Sequence, residues 1–283
     1  MDARKAVRAN APGLEDRARN IRRHALRMGE VQGQGYIAQA LGIADVLAVA
    51  YFHALAYRPD DPAWEGRDRF LLSVGHYAIA LYAALIEAGI VPEAELETYG
   101  TDDSRLPMSG MASYTPGMEI SGGSLGIGLG IAVGMALGLK RKASDRFVYT
   151  LMSDGELDEG PVWEAAMSAG HHRLDNLICI VDVNRMQADG PSTGVLNFEP
   201  LPDKWQAFGW FAQRVDGNDI AALVAAFDAA RNHAEPKPRV ILCDTRMAKG
   251  VPFLETREKS HFLRVEPHEW ALAIAALDEG RTA

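Results

Sequence analysis

The stretch that decides the fold is residues 147–190, FVYTLMSDGELDEGPVWEAAMSAGHHRLDNLICIVDVNRMQADG. It begins with a short apolar run rich in β-forming side chains, 147–152, which the turn residues Ser153-Asp154-Gly155 end. Residues 161–173 have helical composition, and residues 177–183 form a second apolar run. A strand, a helix and a strand in this order predict a βαβ unit, which places two parallel strands in one sheet.

Two oxygen-bearing side chains directly follow the two predicted strands. Asp154 comes after the first strand and Asn184 after the second. The carboxyl ends of parallel strands meet at one edge of a sheet, where open α/β sheets bind their ligands. Carboxylate and amide oxygens without His or Cys suit Mg²⁺ or Ca²⁺, and Mg²⁺ commonly takes one or two carboxylates together with phosphate oxygens. The spacing therefore predicts a divalent cation that holds a diphosphate, with an ordinary pair of turn residues as the alternative.

The rest of the chain continues the α/β pattern. Further elements are predicted by the same criteria, namely helices over 14–31, 36–55, 220–233 and 270–277 and strands over 70–74 and 239–245. Together they predict a parallel sheet flanked by helices in three layers. We expect a single domain over 1–283, with a helical N-terminal segment, 1–35, and a C-terminal extension, 250–283.

Composition narrows the class of protein. The 283 residues carry a net charge of −9 without a dense run of Lys or Arg, which argues against a nucleic-acid partner. Cys179 and Cys243 lie inside apolar runs, so we expect buried, reduced thiols. The N-terminus lacks an apolar signal core, which favours a cytoplasmic protein.

Glycine recurs at every fourth position from Gly126 to Gly138, within the apolar stretch 125–139. This stretch is too short for a membrane span, which needs about 20 residues, so no membrane is expected. A helix face without side chains predicts close packing against a neighbouring element or another subunit.

Taken together, the central motifs resemble the thiamine diphosphate signature of the transketolase family. The matching runs are Ser153–Glu156, Glu159-Gly160, Trp163-Glu164-Ala165, Leu174–Leu177, Asp182–Asn184 and Asp189-Gly190. The resemblance implies that Asp154, Asn184 and the main-chain carbonyl of Met186 bind the metal. It also implies that Gly155 approaches the diphosphate, with Glu156 in the same cofactor-binding turn. Ser153 stands where the family usually has Gly.

A second family match is RDRFLLSVGH, residues 67–76. In the family its His contacts the diphosphate end of the cofactor, which implies a cofactor-binding and catalytic role for His76. Further cofactor contacts follow from looser matches and from position: Gly123 and Leu125 in the loop that presses on the cofactor rings, Lys249 after the strand 239–245, and His261 in Ser260-His261-Phe262. The late His of the family reaches both cofactor and substrate, so His261 is also expected to be catalytic.

Three departures from the family concern the substrate. Gln34 stands where the family has a substrate-binding His, and Gln can form hydrogen bonds but cannot titrate, which leaves Gln34 a substrate contact without acid–base chemistry. A second His is missing near Ser109, and Ile127 replaces a common Gln. Because such histidines hold sugar hydroxyls, their loss is expected to change substrate choice more than cofactor binding.

Three functions remain open. The first is transfer of a two-carbon ketol unit between sugar-like substrates, for which phosphosugars are expected. The second is a related thiamine-dependent reaction of a 2-oxo acid, by decarboxylation or acyloin formation. The third is a non-catalytic regulatory subunit, against which the retained Asp154, Asn184 and His76 argue.

The resemblance covers residues 14–265 and only the diphosphate-binding part of a transketolase. The next domain of the family supplies a Glu to the aminopyrimidine ring, and the cofactor lies between two subunits. The resemblance thus implies an α subunit that is active only with a separate β subunit, as α₂β₂. Glu159 and Glu164 match acids that lie at the subunit interface in the family and link cofactor sites.

Overall fold

The computed structural model describes residues 13–258 and 261–279. Within them the strands are β1 (Arg69–Leu72), β2 (Val148–Ser153), β3 (Leu177–Val183), β4 (Met186–Gln187), β5 (Gly190–Pro191), β6 (Phe211–Asp216) and β7 (Arg239–Asp244). Five of them form a sheet in the order β1-β2-β3-β7-β6, and every neighbouring pair is parallel. Strands β4 and β5 form a short antiparallel ribbon just after β3. The carboxyl ends of the five parallel strands therefore share one edge, as predicted.

Helices cover both faces of the sheet. They are α1 (Leu14–Gln32), α2 (Ile37–Val49), α3 (Ala78–Glu87), α4 (Gly128–Arg141), α5 (Gly160–His171), α6 (Ser192–Val195), α7 (Leu201–Ala207), α8 (Ile220–Asn232), α9 (Pro252–Glu255) and α10 (Trp270–Glu279). Alternate strand residues point into two apolar cores. Tyr149 and Leu151 pack in the core that contains α1, α2, α3, α8 and α10. Val148 and Met152 pack with α4, α5 and α7. The predicted three-layer α/β class is confirmed.

Two regions differ from the sequence-based prediction. The sequence predicts a loop over 196–203, but α7 begins at Leu201 with Pro202 in its first turn, where the missing N–H of proline costs no hydrogen bond. The helix expected over 36–55 ends as α-helix at Val49 and continues as a π-helix over Ala50–Ala54. The expected bounds of the single domain stay a prediction, since residues 1–12, 259–260 and 280–283 lie outside the described residues.

The glycine face of α4 does not pack as predicted. Within the described residues, no atom lies within 4 Å of the position that a Cβ would take at Gly130, Gly134 or Gly138. Gly126 precedes the helix with φ of 79°, and a Cβ there would meet Glu159. The expected contact with a neighbouring element of this chain is therefore wrong for the three helical glycines, and contact with another subunit stays a prediction.

One long apolar helical stretch is buried in the fold. In the described part of the chain one helical stretch, Ile37–Ala54, is long and apolar enough to span a membrane, with a mean hydropathy of 1.5. However, 89% of this stretch is buried inside the fold, as in the core helix of a globular domain.

Cys179 and Cys243 are free and buried, as expected, and burial raises the pKa of both thiols. A reactive cysteine needs a partly exposed, electropositive setting, whereas both thiols are buried and the charges that act on Cys243 are the carboxylates of Asp182 and Asp244.

Candidate active site

A cleft of about 410 Å³ opens at the carboxyl edge of the sheet. Six of the residues assigned to the site from sequence line it, namely His76, Gly123, Leu125, Gly155, Met186 and His261. Asp154 and Asn184 are buried. Asp154 directly precedes the lining residue Gly155, and Asn184 lies two positions before the lining residue Met186. The parallel topology thus brings together segments that are more than a hundred residues apart in the chain.

The two carboxylate oxygens of Asp154 have different surroundings. Its Oδ2 accepts hydrogen bonds from the Arg185 main-chain N–H at 2.7 Å and from Ser192 Oγ at 3.3 Å. Its Oδ1 is buried and has no hydrogen-bond partner among the described residues. Burial, together with the nearby negative charge of Asp182, raises the pKa of Asp154 to about 7. An orphaned buried carboxylate is costly, and a bound cation would satisfy it.

Asn184 is held in one orientation beside Asp154. Its Nδ2 donates to Tyr77 Oη at 2.8 Å and to Asp182 Oδ2 at 2.7 Å, and its Oδ1 accepts from the Met186 N–H at 3.0 Å. Arg185 has φ of 65°, a left-handed conformation that is uncommon for a residue with a side chain. This turn aims the Arg185 N–H at Asp154 and brings Met186 to the cleft.

The three predicted metal ligands therefore form one connected group. Their oxygens are of the hard type that Mg²⁺ and Ca²⁺ prefer. Among the described residues, no cluster of three or more His, Cys, Asp or Glu side chains could hold a metal. A cation at Asp154 would thus depend on amide, main-chain and phosphate oxygens, in keeping with the predicted diphosphate site.

Two histidines and a tyrosine face the same cleft. The ring centroid of Tyr36 lies 4.4 Å from that of His76 and 5.9 Å from that of His261, and the centroids of the two imidazoles are 6.1 Å apart. Burial, with the neighbouring His261, lowers the pKa of His76 to about 4. Burial also lowers the pKa of His261. At neutral pH both rings are therefore uncharged, so each has one N–H donor and one acceptor nitrogen.

We expect His76 to remain neutral from pH 8 down to about pH 5, because its pKa falls from 6.5 in the unfolded chain to about 4 in the fold. The unfolded chain then binds more protons between these values, so the contribution of His76 to stability decreases as the pH falls from 6.5 to 4. Nitrogen chemical shifts of the imidazole, followed by NMR against pH, measure this pKa directly, with the chain in urea as the reference. A midpoint near 6.5 in the folded chain would contradict the expectation.

Glu156 and Ser153 form a buried support for the cleft. Glu156 Oε1 accepts from Ser73 Oγ at 2.5 Å and from the Gly126 N–H at 2.9 Å, while Oε2 accepts from the Ser153 N–H at 3.1 Å. The Ser153 side chain completes a capping box over the short 3₁₀-helix Asp154–Asp158. Since φ of Ser153 is −96°, glycine is not required at this departure from the family pattern. Glu156 joins three segments of the site, and its predicted cofactor contact remains a prediction.

A second cavity of about 500 Å³ adjoins the cleft and contains Gln34. The two cavities share Tyr36, His261 and Phe262. Gln34 is exposed, and its Nε2 lies 3.7 Å from Met108 Sδ. The rest of the lining mixes apolar side chains with polar ones, including Arg264. Gln34 thus lies in a cavity that adjoins the cleft, and its role as a substrate contact stays a prediction.

Other predicted residues lie at the margin of the site. Lys249 follows β7 at the correct edge of the sheet, but it lines neither cavity in the described part of the chain. Glu159 lines the cleft and is exposed, and Glu164 is exposed on α5. Their assigned roles stay predictions.

Sequence reasoning missed several contributors, namely Tyr36, Tyr77, Asp182, Ser192 and Phe262. Asp182 and Phe262 lay inside the matched runs Asp182–Asn184 and Ser260-His261-Phe262, and Tyr77 directly follows His76, so these neighbourhoods were the available signal. No motif indicated Ser192.

Comparison with known proteins identifies the family. The model of the transketolase, thiamine diphosphate binding domain, matches residues 15–273. The chain belongs to the transketolase family. Transketolases are transferases, so the chain is part of a transferase. The matched region contains every residue assigned to the site, so the thiamine diphosphate predicted from the motifs agrees with the domain that the family model describes.

Relatives in this family include subunits of similar length. A transketolase family protein, y4mO, of Sinorhizobium fredii is 79% identical over 270 residues, which cover 95% of this chain and 97% of the relative. The 6-deoxy-6-sulfo-D-fructose transketolase subunit SqwG of a Clostridium species is 40% identical, covering 94% and 96%. One of the subunits of apulose-4-phosphate transketolase from Actinobacillus succinogenes is 37% identical, with the same coverage.

Solved transketolases share the fold over part of their length. The transketolase of Campylobacter jejuni superposes with a TM-score of 0.82 and 29% sequence identity. The match covers 95% of this chain and 47% of that transketolase. The chain thus spans about half the length of this transketolase and nearly the whole length of the subunit relatives.

Proposed function

We propose that the chain is the diphosphate-binding α subunit of a two-component transketolase that uses thiamine diphosphate and Mg²⁺, or Ca²⁺. The observation that carries the proposal is the buried, unpartnered Oδ1 of Asp154 beside Asn184 and Met186. In a family with a thiamine diphosphate binding domain, these oxygen ligands would suit a cation that holds the diphosphate. The reaction is transfer of a two-carbon ketol unit between sugar-like substrates.

The residues of the chain divide the work at this site. Asp154, Asn184 and the Met186 carbonyl would hold the cation, and the half-buried backbone of Gly155, which lines the cleft, would admit the diphosphate. When bound, thiamine diphosphate supplies the carbon nucleophile of the reaction.

The substrate is oriented by groups further along the cleft. Neutral His76 and His261 can each donate one hydrogen bond and accept one. Each ring could therefore hold a substrate oxygen and move a proton from one substrate oxygen to another. Gly123 and Leu125 line the cleft on the side of the Gly-rich loop, where the cofactor rings would lie.

A separate β subunit completes the active site in this proposal. Support comes from the two relatives named as transketolase subunits, each aligned over 96% of its length. The partner supplies the Glu that acts on the aminopyrimidine, and the assembly is α₂β₂ in the cytoplasm. The exposed Glu164 and the open faces of Gly130 and Gly134 are surfaces available for subunit contact.

The substrates proposed are sugars with an anionic group, such as phosphosugars. One relative is named for a sulfo sugar and another for a sugar phosphate, and these names support the class without choosing its member. Gln34, in place of a His that would hold a sugar hydroxyl, favours a second candidate, a thiamine-dependent reaction of a 2-oxo acid. Release of carbon dioxide distinguishes this candidate from ketol transfer.

Co-purification with the product of the adjacent reading frame, followed by calorimetric titration with thiamine diphosphate and Mg²⁺, tests the proposal. A stoichiometric complex that binds the cofactor only when both chains are present is the expected result. A single chain that binds cofactor tightly, or that catalyses ketol transfer alone, would overturn the two-component proposal. Failure of the complex to bind cofactor would favour a non-catalytic subunit.

Replacement of Gln34 by His is expected to widen sugar acceptance, because it restores a group that holds a donor hydroxyl. We expect kcat/KM for hydroxylated phosphosugar donors to rise about tenfold, while the affinity for thiamine diphosphate changes less than about twofold. The matched control is Gln34→Asn, which keeps an amide but withdraws it from Met108. The same kcat/KM for Gln34→His and native complex on every phosphosugar tried would count against the substrate argument.

A further inference from the structure

Asp182 is a buried carboxylate with an unusual set of partners. It lies in β3 and is 1% exposed. Its Oδ2 accepts from Asn184 Nδ2 at 2.7 Å and from Tyr77 Oη at 2.9 Å, and its Oδ1 accepts from Thr245 Oγ1. All of these donors are neutral. Burying a carboxylate without a cationic partner is unfavourable for folding, so its presence here calls for a role beyond packing.

Asp182 can determine which end of the neighbouring Asn184 amide faces it. The oxygen and nitrogen ends of an Asn side chain have nearly the same shape, so packing alone cannot choose between them. An ionised carboxylate only accepts hydrogen bonds, and Asp182 therefore selects the NH₂ end of Asn184. Reversal of the amide would place its oxygen 2.7 Å from Asp182 Oδ2, where two acceptors repel.

Tyr77 and Thr245 orient the carboxylate itself. The Tyr77 hydroxyl gives its one proton to Asp182, so towards Asn184 it can only accept. Thr245, just past the carboxyl end of β7, engages the other oxygen of Asp182. On the Nδ2 side of the Asn184 amide, ionised Asp182 has no donor, whereas a tyrosine hydroxyl can also turn its proton towards an amide oxygen. On the other side, the Met186 N–H donates to Oδ1 and favours the same orientation.

We propose that Asp182 is a positioning residue that fixes the Asn184 amide with its oxygen towards the cation site. This inference rests on the proposed function, since it assumes that Asn184 donates its oxygen to the metal that holds the diphosphate. Partners of metal ligands commonly set ligand orientation, and their loss reduces metal affinity about 10–100-fold. Asp182 does this without touching the cation.

The test measures Mg²⁺ binding rather than turnover. Mg²⁺ is titrated into the full chain together with its partner at saturating thiamine diphosphate, and binding is followed by tryptophan fluorescence. Asp182→Leu removes the carboxylate that faces Asn184 Nδ2 and leaves that nitrogen only Tyr77 Oη, which can donate or accept, while the Met186 N–H still donates to Oδ1. The Mg²⁺ dissociation constant is therefore expected to rise about 10–100-fold. Tyr77→Phe keeps the carboxylate, and a rise of less than about threefold is expected.

An exchange of the two side chains separates positioning from general support of the fold. In the double variant D182N/N184D, a carboxylate at 184 presents oxygen in either orientation, and the amide at 182 can donate to it. We therefore expect the double variant to bind Mg²⁺ within about tenfold of the native complex and more tightly than Asp182→Leu. If Asp182 only supports the core, the exchange should recover nothing.

Thr150→Val is the matched control, because Thr150 is fully buried in β2 and its hydroxyl has no hydrogen-bond partner among the described residues. It should leave Mg²⁺ affinity unchanged. If Asp182→Leu folds and binds Mg²⁺ as tightly as the native complex, the inference is overturned. If Asp182→Leu does not fold, Tyr77→Phe and the double variant decide: a double variant that folds but binds no better than the single Asn184→Asp also overturns it. If the native complex shows no Mg²⁺-dependent cofactor binding, the proposed function and this inference both fail. If the native complex binds Mg²⁺ and cofactor but Asp182→Leu binds them as tightly, only this inference fails.

Discussion

Replacing Asp154 by Asn is expected to raise the dissociation constant for thiamine diphosphate, measured at fixed Mg²⁺ in the complex, by about 100-fold or more. Asp154 is the one charged ligand in the proposed cation site, and its unpartnered Oδ1 is the atom that a cation would satisfy. Isothermal titration of the complex with cofactor and Mg²⁺ measures the effect. Asp102→Asn, which removes a carboxylate from an exposed loop, is the control and should bind as the native complex does.

The same substitution is expected to stabilise the metal-free chain at pH 8. Folding raises the pKa of Asp154 from 3.8 to about 7, so the folded state binds more protons between these values. The stability that this group contributes is thus present at low pH and is lost as the pH rises through about 7. Asn removes the uncompensated charge, so Tm without metal should rise at pH 8 relative to native. An unchanged cofactor affinity, or a lower Tm without metal, would contradict the assignment of Asp154.

Replacing Glu156 by Ala is expected to lower the free energy of unfolding by about 3–5 kcal/mol, because it leaves several buried hydrogen-bond donors without an acceptor. The carboxylate is fully buried and satisfies three donors, from Ser73, Gly126 and Ser153. Each donor left unsatisfied costs about 1–3 kcal/mol, although relaxation of the loop that contains Gly126 reduces the sum. Urea unfolding of the single chain, with extrapolation to water, measures the change.

Glu164→Ala is the matched control for this measurement. Glu164 is an exposed glutamate on α5, and such surface substitutions usually change stability by less than about 0.5 kcal/mol. A loss below about 1 kcal/mol for Glu156→Ala would show that the capping box and the Gly126 contact do not hold this edge of the sheet together. A large loss should also weaken cofactor binding, because Gly126 directly follows Leu125 in the cleft.

The identity and order of the main elements could be predicted from sequence because they depend on local patterns. The run 177–183 reads as a buried strand, and the structure has β3 with the same bounds. Two such runs joined by a helix dictate a parallel pair, so the convergence of Asp154 and Asn184 followed from connectivity alone. The recognised motifs carried the family, which the match over residues 15–273 confirms.

Features that depend on contacts between distant segments could not be predicted in this way. Spacing suggested that the glycines of α4 pack against a neighbouring element or another subunit, but only the fold shows open space beside Gly130 and Gly134 within the described chain. Ser153 is accommodated at a position that is usually Gly because it forms a capping box with Glu156. The other hydrogen-bond donors to Glu156 come from the residue after β1 and from the Gly-rich loop. Such networks join residues about 30 to 80 positions apart, beyond the range of any local propensity.

The sequence by itself therefore determined the fold class, the edge at which ligands bind and the residue types offered to a cation. Local hydrophobic periodicity and the handedness of βαβ crossovers are sufficient for these features. Only the tertiary structure decided which way those groups point. The orphaned oxygen of Asp154 and the orientation of the Asn184 amide depend on neighbours from β3, from the segment after β1 and from the segment after β7. A side chain has no fixed direction until the burial of its partners leaves it one way to satisfy its hydrogen bonds.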